Sequence, residues 1–195
     1  MSSPSLTPPG DLTARARIRN EAFSLYAIQG EERVSMRAVA AAAGVTIGLV
    51  QHHFGTKEGL RRSVDEYVVE HFVEALAGVE HTGTAAEVVA ARDGAVRTML
   101  QENPLVVRYL LRMLLEPETR GAFVLGQLVD LTVQEIRRLR EAGFASTTTP
   151  EPVQVVRTIL GQIGEHALEP MVGAVWKRVG GSDADRPRTE ITVVQ

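Results

Sequence analysis

The sequence contains no cysteine, which removes disulfides, thiol chemistry and every cysteine-ligated metal site and suits a reducing compartment. No run approaches the ~18–20 apolar residues that a membrane-spanning helix needs. The start, Met1-Ser2-Ser3-Pro4-Ser5, has neither the basic region nor the apolar core of a secretory leader. A cytoplasmic protein without a membrane partner is therefore expected. Aromatic residues make up only 5% of the chain, which argues against a large aromatic cage around a ligand. There is no period-two alternation of strand type and no internal repeat. A Ser/His/Asp cluster, metal-ligand spacing and a glycine phosphate loop are all missing, so neither an enzyme nor a bound metal or cofactor is expected. What remains is 195 residues, 44% hydrophobic and 23% charged, ordinary for a globular protein and enough for a sizeable core.

The net charge is −3 but it is unevenly spread. Residues 11–62 hold eight bases (Arg15, Arg17, Arg19, Arg33, Arg37, Lys57, Arg61, Arg62) against five acids, leaving 13 bases against 19 acids elsewhere. A mildly basic N-terminal segment on an acidic body suggests two jobs.

Periodicity and capping signals predict an all-α chain of eight or nine helices. Residues 1–11 read as a disordered tail. Ile18, Ala22, Leu25 and Tyr26 mark the apolar face of a first helix from near Thr13, stopped at Gly30. Ser35 caps Met36–Ala43, Thr46 caps Ile47–His53, and Thr56 caps a longer helix. That helix carries an apolar stripe from Leu60 to Leu76, with Asp65, Glu66, Glu70 and Glu74 on its outer face. Further helices are predicted at about 85–101, at Leu105–Leu115 (apolar almost all round, hence buried), at 118–142 and at 151–178. Pro170 should kink or split the last one. Residues 181–195 read as a second disordered tail, with Ile191–Val194 strand-like in composition.

The informative stretch is Ser35 to Leu60. Two short helices are joined by Ala43-Gly44-Val45-Thr46. A helix-turn-helix needs a glycine in its tight turn, an apolar residue to bury the corner, and small residues where the helices meet. Gly44, Val45 and the alanines at 38 and 40–43 supply these, and Val39, Val45, Leu49 and Val50 can make a small core. Ile47, Gly48, Gln51 and His52 are then left facing outward, where they can enter a DNA major groove.

The motifs Ile18…Ala22-Phe23…Leu25-Tyr26-Ala27…Gly30, Ser35-Met36-Arg37…Val39-Ala40…Ala42-Ala43-Gly44-Val45-Thr46 and Gly48…His53-Phe54…Lys57-Glu58…Leu60 resemble the tetracycline-repressor (TetR/AcrR) family of transcriptional regulators. They cover about residues 13–65. The resemblance implies a three-helix helix-turn-helix DNA-binding domain, placed at 12–56, and a larger helical regulatory domain at 57–180. It further implies a homodimer formed through the helices at about 118–142 and 151–178, a double-stranded DNA operator, and a small-molecule effector that relieves repression. The alternative is a DNA- or protein-binding module of the same fold with no effector.

Mapped onto this chain, Arg37 becomes a candidate for a bidentate guanine contact, with Ile47, Gly48, Gln51 and His52 also facing bases. Ser35, Thr46, His53 and Lys57 become phosphate candidates, with Arg15, Arg17 and Arg19 within reach of the DNA backbone. Gln51 departs from the family, which usually has a phosphate-binding tyrosine there. An amide can bond a phosphate or read adenine.

The blander readings compete with these. His52 and His53 are adjacent on a helix and point ~100° apart, so they do not chelate a metal together. His71 reads as a packed histidine rather than a pH switch, and His166 as an interface hydrogen bonder. Arg108 and Arg112 read as solvated or ion-paired, against the alternative that one of them binds an acidic ligand, and Arg92 as a salt-bridge partner or a ligand counter-ion. Met99, Tyr109, Met113, Phe123 and Trp176, with Arg92, are pocket candidates against a plain core reading. Gly161, Gly164 and Gly173 suit a close helix–helix approach.

Overall fold

The computed structural model describes residues 14–115, 121–180, 182, 185–187, 189 and 191. The N-terminal segment expected to be a disordered tail lies outside them. Among the described residues the regular structure is entirely helical. It comprises α1 (Ala14–Gln29), α2 (Met36–Ala42), α3 (Ile47–Phe54), α4 (Lys57–Ala77), α5 (Ala85–Glu102), α6 (Pro104–Leu114), α7 (Ala122–Glu141) and α8 (Glu151–Arg178), with one 3-10 turn at Glu31–Arg33. The chain divides into two compact units, the first ending at Val68 and the second beginning at Val69. That division falls inside α4, not at the Gly55-Thr56 turn where the sequence reading separates the domains.

In the first unit α1 packs on α2 and α3, and α2 on α3. Its core is what the 3.6-residue spacing dictates. Ile18, Ala22 and Tyr26 of α1, with Val39, Val50, Leu60 and Val64, are all fully buried, each large aliphatic contributing about 1.5–3 kcal/mol. Phe23 packs edge-on against Tyr67, ring centroids 5.6 Å apart. One expectation is overturned here. Asp65, assigned to the acidic outer face of α4, has 0% exposure and accepts a 3.2 Å hydrogen bond from Arg61 Nη1. A lone buried carboxylate would be too costly to ionise, so the arginine one turn back is its compensation. Glu66, Glu70 and Glu74 do face outward.

In the second unit α7 packs on α8, and α5 on α6 and α8. Thr84 and Glu87 close a reciprocal capping box at the start of α5. The Thr84 amide hydrogen bond holds the Glu87 carboxyl below the usual carboxylate range. Arg137 and Arg140 near the end of α7 clamp the turn into α8. Arg137 Nη2 lies 2.9 Å from Glu151, and Arg140 donates to Gln154 and to the Thr149 carbonyl.

Four further expectations change. α6 is not buried all round: Val106, Tyr109, Leu110 and Met113 are inside, while Arg108, Arg112 and Leu115 face solvent. Its two arginines, four apart, define a polar stripe. α8 is not split at Pro170 but continues as one helix to Arg178. Gly164 and Gly173 face the chain's own end rather than another helix. A Cβ at Gly164 would clash with Ile191 Cδ1, and one at Gly173 would fall 2.7 Å from Arg186 Nη2. The described part of the C-terminal segment is correspondingly packed on α8: Trp176 donates to the Ser182 carbonyl at 2.9 Å, and Arg186 pairs with Glu169 at 2.5 Å. Ile191 is in no strand, and residues 192–194 lie outside those described.

Candidate nucleic-acid interface and cavity

The turn between α2 and α3 forces its own sequence. Gly44 has φ of +64°, a left-handed conformation that costs a Cβ-bearing residue about 1 kcal/mol or more. The Val45 amide then bonds back to the Ala40 carbonyl at 2.9 Å, which closes the end of α2 and swings the chain into α3. Ser35 Oγ accepts from the Ala38 amide at 3.1 Å, and Thr46 Oγ1 from the Leu49 amide at 3.3 Å. Both hydroxyls therefore serve as N-caps and keep an O–H free to donate outward. At the far end Gly55, with φ of +67°, stops α3, and Thr56 Oγ1 caps α4 by accepting from the Gly59 amide at 3.0 Å.

This scaffold sorts the residues of α3 by face. Val50 and Phe54 are buried, whereas Gly48, Gln51 and His52 are exposed and Ile47 and His53 are half-buried. Arg37 on α2 is exposed. The His52 and His53 rings sit 5.4 Å apart between centroids, at 65° to one another. Among the described residues no three His, Asp or Glu side chains gather where a metal could be held.

The basic residues around α3 do not share one environment. Arg15 sits over the Phe54 ring at 5.4 Å. Arg19 lies over Tyr67 at 4.0 Å, which gives it a packing role that its place in the basic segment does not reveal. Arg17 is exposed. Lys57 Nζ lies 4.0 Å from Glu31 Oε1, a carboxylate whose side chain is only 16% exposed. Arg61 is held by Glu58 at 2.5 Å as well as by Asp65. Hydrogen bonding to Arg61 lowers the Glu58 carboxyl pKa and raises that of the guanidinium. The Tyr26 hydroxyl is buried beside these charges without a hydrogen-bond partner, and its burial, reinforced by Glu31, pushes its pKa up. Glu31 was not singled out by the sequence. It is 26 residues from Lys57, and no local pattern pairs them.

The second unit holds a cavity of about 300 Å³ bounded by α5, α7, α8 and residues 72–76 of α4. Of the six pocket candidates from sequence, Arg92 alone lines it. Met99 and Met113 are buried in the core with Tyr109, half-buried Phe123 lies outside the lining, and Trp176 is turned toward Ser182. The lining comes instead from one face of α7, represented by Leu128, Leu131, Thr132 and Glu135, and from the facing turns of α8. Arg92 is buried and forms an ion pair with Glu135, while its Nη1 lies 2.8 Å from His81 Nε2. Along α8 a second feature appears. Val156, Leu160, Leu168, Met171, Val175 and Val179 are 36–68% exposed and recur at helical spacing.

Residues 18–64 match the family described as bacterial regulatory proteins, tetR family. The HTH-type transcriptional regulatory protein RaaS of Mycobacterium tuberculosis is 53% identical over 60 residues, covering 31% of this chain and 28% of that one. A TetR transcriptional regulator from Chloroflexus aurantiacus superposes with a TM-score of 0.68 at 21% identity, over 82% of this chain and 85% of its own. A transcriptional regulator from Rhodococcus sp. Rha1 does so with a TM-score of 0.63 at 26% identity, over 84% and 87%. Among the described residues no helix is long and apolar enough to cross a membrane.

Proposed function

We propose that the chain, whose residues 18–64 match the tetR family of bacterial regulatory proteins, is a homodimeric, sequence-specific repressor of transcription in the cytoplasm, released from its DNA operator by a small molecule. The observation that carries the DNA half is the capped α2–turn–α3 unit with Gly48, Gln51 and His52 exposed on α3, since such a helix fits a major groove. On this reading Arg37, Ile47, Gly48, Gln51 and His52 meet base edges. Ser35 and Thr46, through their free O–H, join His53 and Lys57 on phosphates. The apolar row on α8 supports self-association, since a monomer rarely exposes such a stripe. The cavity supports the effector, because a concave, mostly apolar space with a few polar groups is the usual form of a small-molecule site.

Ligand and DNA then bind states that differ in the spacing of two recognition helices, about 34–36 Å for successive major grooves, and each weakens the other. The test is binding of the purified protein to its own upstream DNA in a salt series with nonspecific competitor, with mass followed by sedimentation. Competitor-resistant binding by a dimer is expected, and Leu160→Asp should yield monomers with lost operator affinity. A monomeric wild type, or no preference over competitor for any sequence selected from the genome, would overturn the reading.

A further inference from the structure

The cavity of the second unit restricts the chemistry of what can fill it, an inference that rests on the effector reading above. We propose that the effector is an uncharged, mainly apolar small molecule carrying at most a neutral polar group such as a hydroxyl or carbonyl. The walls contributed by Leu131, Ile136, Ile163 and their neighbours reward an apolar body by removing its surface from water. A volume of about 300 Å³ lies at the small end of ligand sites, so the body is compact.

Arg92, Asp93, Thr132, Glu135, Gln154 and Gln162 of the lining already have hydrogen-bond or ion-pair partners. Arg92 is paired with Glu135 and bonded to His81. Asp93 accepts from Gln162 Nε2 at 3.1 Å, and Thr132 donates to the Leu128 carbonyl at 2.7 Å. Gln154 accepts from Arg140 and donates to the Ser146 carbonyl. The formal charges of the lining, Arg92 and Arg157 against Asp93 and Glu135, cancel.

An anionic group that reached Arg92 would therefore sit against the Glu135 carboxylate. A cationic group that reached Glu135 would meet Arg92 and also Arg138, whose Nη1 lies 2.9 Å from Glu135 Oε1. Either ion would surrender its hydration for a partner already neutralised, the costly case for buried charge. A neutral molecule faces no such loss.

The experiment uses three ten-carbon probes with neutral, anionic and cationic head groups: 1-decanol, decanoate and decylammonium. Their binding to the full-length protein is measured by calorimetry, and release of duplex DNA is read separately by fluorescence anisotropy. Decanol is expected to bind at least about tenfold more tightly than either ion, a difference of ~1.4 kcal/mol. Glu135→Gln leaves Arg92 without its counter-charge and should tighten decanoate by about tenfold while leaving decanol within about twofold. A folded state is verified by circular dichroism, and Leu131→Trp, which fills the space, should abolish decanol binding. Equal or tighter binding of an ion, no binding of decanol, or no gain of decanoate in Glu135→Gln would overturn the proposal. Decanol binding that leaves DNA affinity unchanged would support the assignment of chemistry and instead sink the effector reading on which it rests.

Discussion

Glu31 sits where it can restrain Lys57, so Glu31→Gln should tighten DNA binding. The carboxylate oxygen lies 4.0 Å from Lys57 Nζ, with the lysine side chain 36% exposed and the glutamate 16%. At that distance two unit charges interact by about 1 kcal/mol in water and about 4 kcal/mol at the effective dielectric of a protein surface. The lysine end is open to solvent, and ion pairs of this exposure usually contribute about 1 kcal/mol or less. A phosphate that takes Lys57 must compete with Glu31 for it. Removing the competitor should therefore raise affinity by up to about fivefold, the equivalent of ~1 kcal/mol.

The assay needs no operator, because phosphate contacts are blind to sequence. Binding of a mixed-sequence duplex is followed by anisotropy over a salt series in the parent, Glu31→Gln, Lys57→Ala and the double variant. Lys57→Ala should lower the slope of log K against log salt by about 0.9, one phosphate's worth. In the Lys57→Ala background the gain from Glu31→Gln should shrink below about twofold. An equal gain in both backgrounds would mean that Glu31 repels DNA on its own account and would refute the pairing argument.

Three further outcomes follow from the same geometry. Once an operator is selected, Arg37→Ala should relax preference at one base position by about 1–3 kcal/mol, whereas Lys57→Ala weakens all sequences alike; the same pattern from both, in a binding-site selection, would contradict the division. Tyr26→Phe removes a buried hydroxyl without a partner and should leave stability unchanged or raise it by about 1 kcal/mol in urea unfolding; a loss of more than that would mean the hydroxyl is bonded. Glu58, Glu87 and Glu151 are held below the usual carboxylate range, by hydrogen bonds from Arg61, the Thr84 amide and Arg137 respectively. A depressed folded-state pKa stabilises at neutral pH, and that stabilisation is lost as pH falls through the lowered values. Thermal melts should therefore drop toward acid below the ordinary carboxylate range, and a midpoint that is level or rising there would be inconsistent with these bonds.

The helices were legible because their signals are local. Ser35, Thr46 and Thr56 announce helix starts within three residues of the amides they cap, and Gly44 and Gly55 announce the breaks. The outward face of α3 follows from the same spacing. What the sequence hides are pairings over distance. Asp65 reads as a surface acid until Arg61 and the rest of the core are folded around it. Arg92 was singled out with both of its roles open, but its partner Glu135 lies 43 residues on. For the same reason Met99, Tyr109 and Met113 could not be told from cavity residues: apolar positions at helical spacing look alike whether they face packed side chains or empty space. The roles of Gly164 and Gly173 depend on a return of the chain that composition at the C-terminus does not advertise.

That return ties two distant stretches of the gene together. Gly164 leaves no room for a methyl group beneath Ile191, and Gly173 leaves little beneath Arg186. A methyl group at either glycine must displace the tip of the side chain above it, Ile191 Cδ1 or the Arg186 guanidinium, so a change of rotamer there is the least that such a drift requires. Across relatives that keep this return, positions 164 and 191, and 173 and 186, should change in step, size exchanged for size. In relatives without this return, the two glycines are released to become alanine, the better helix former.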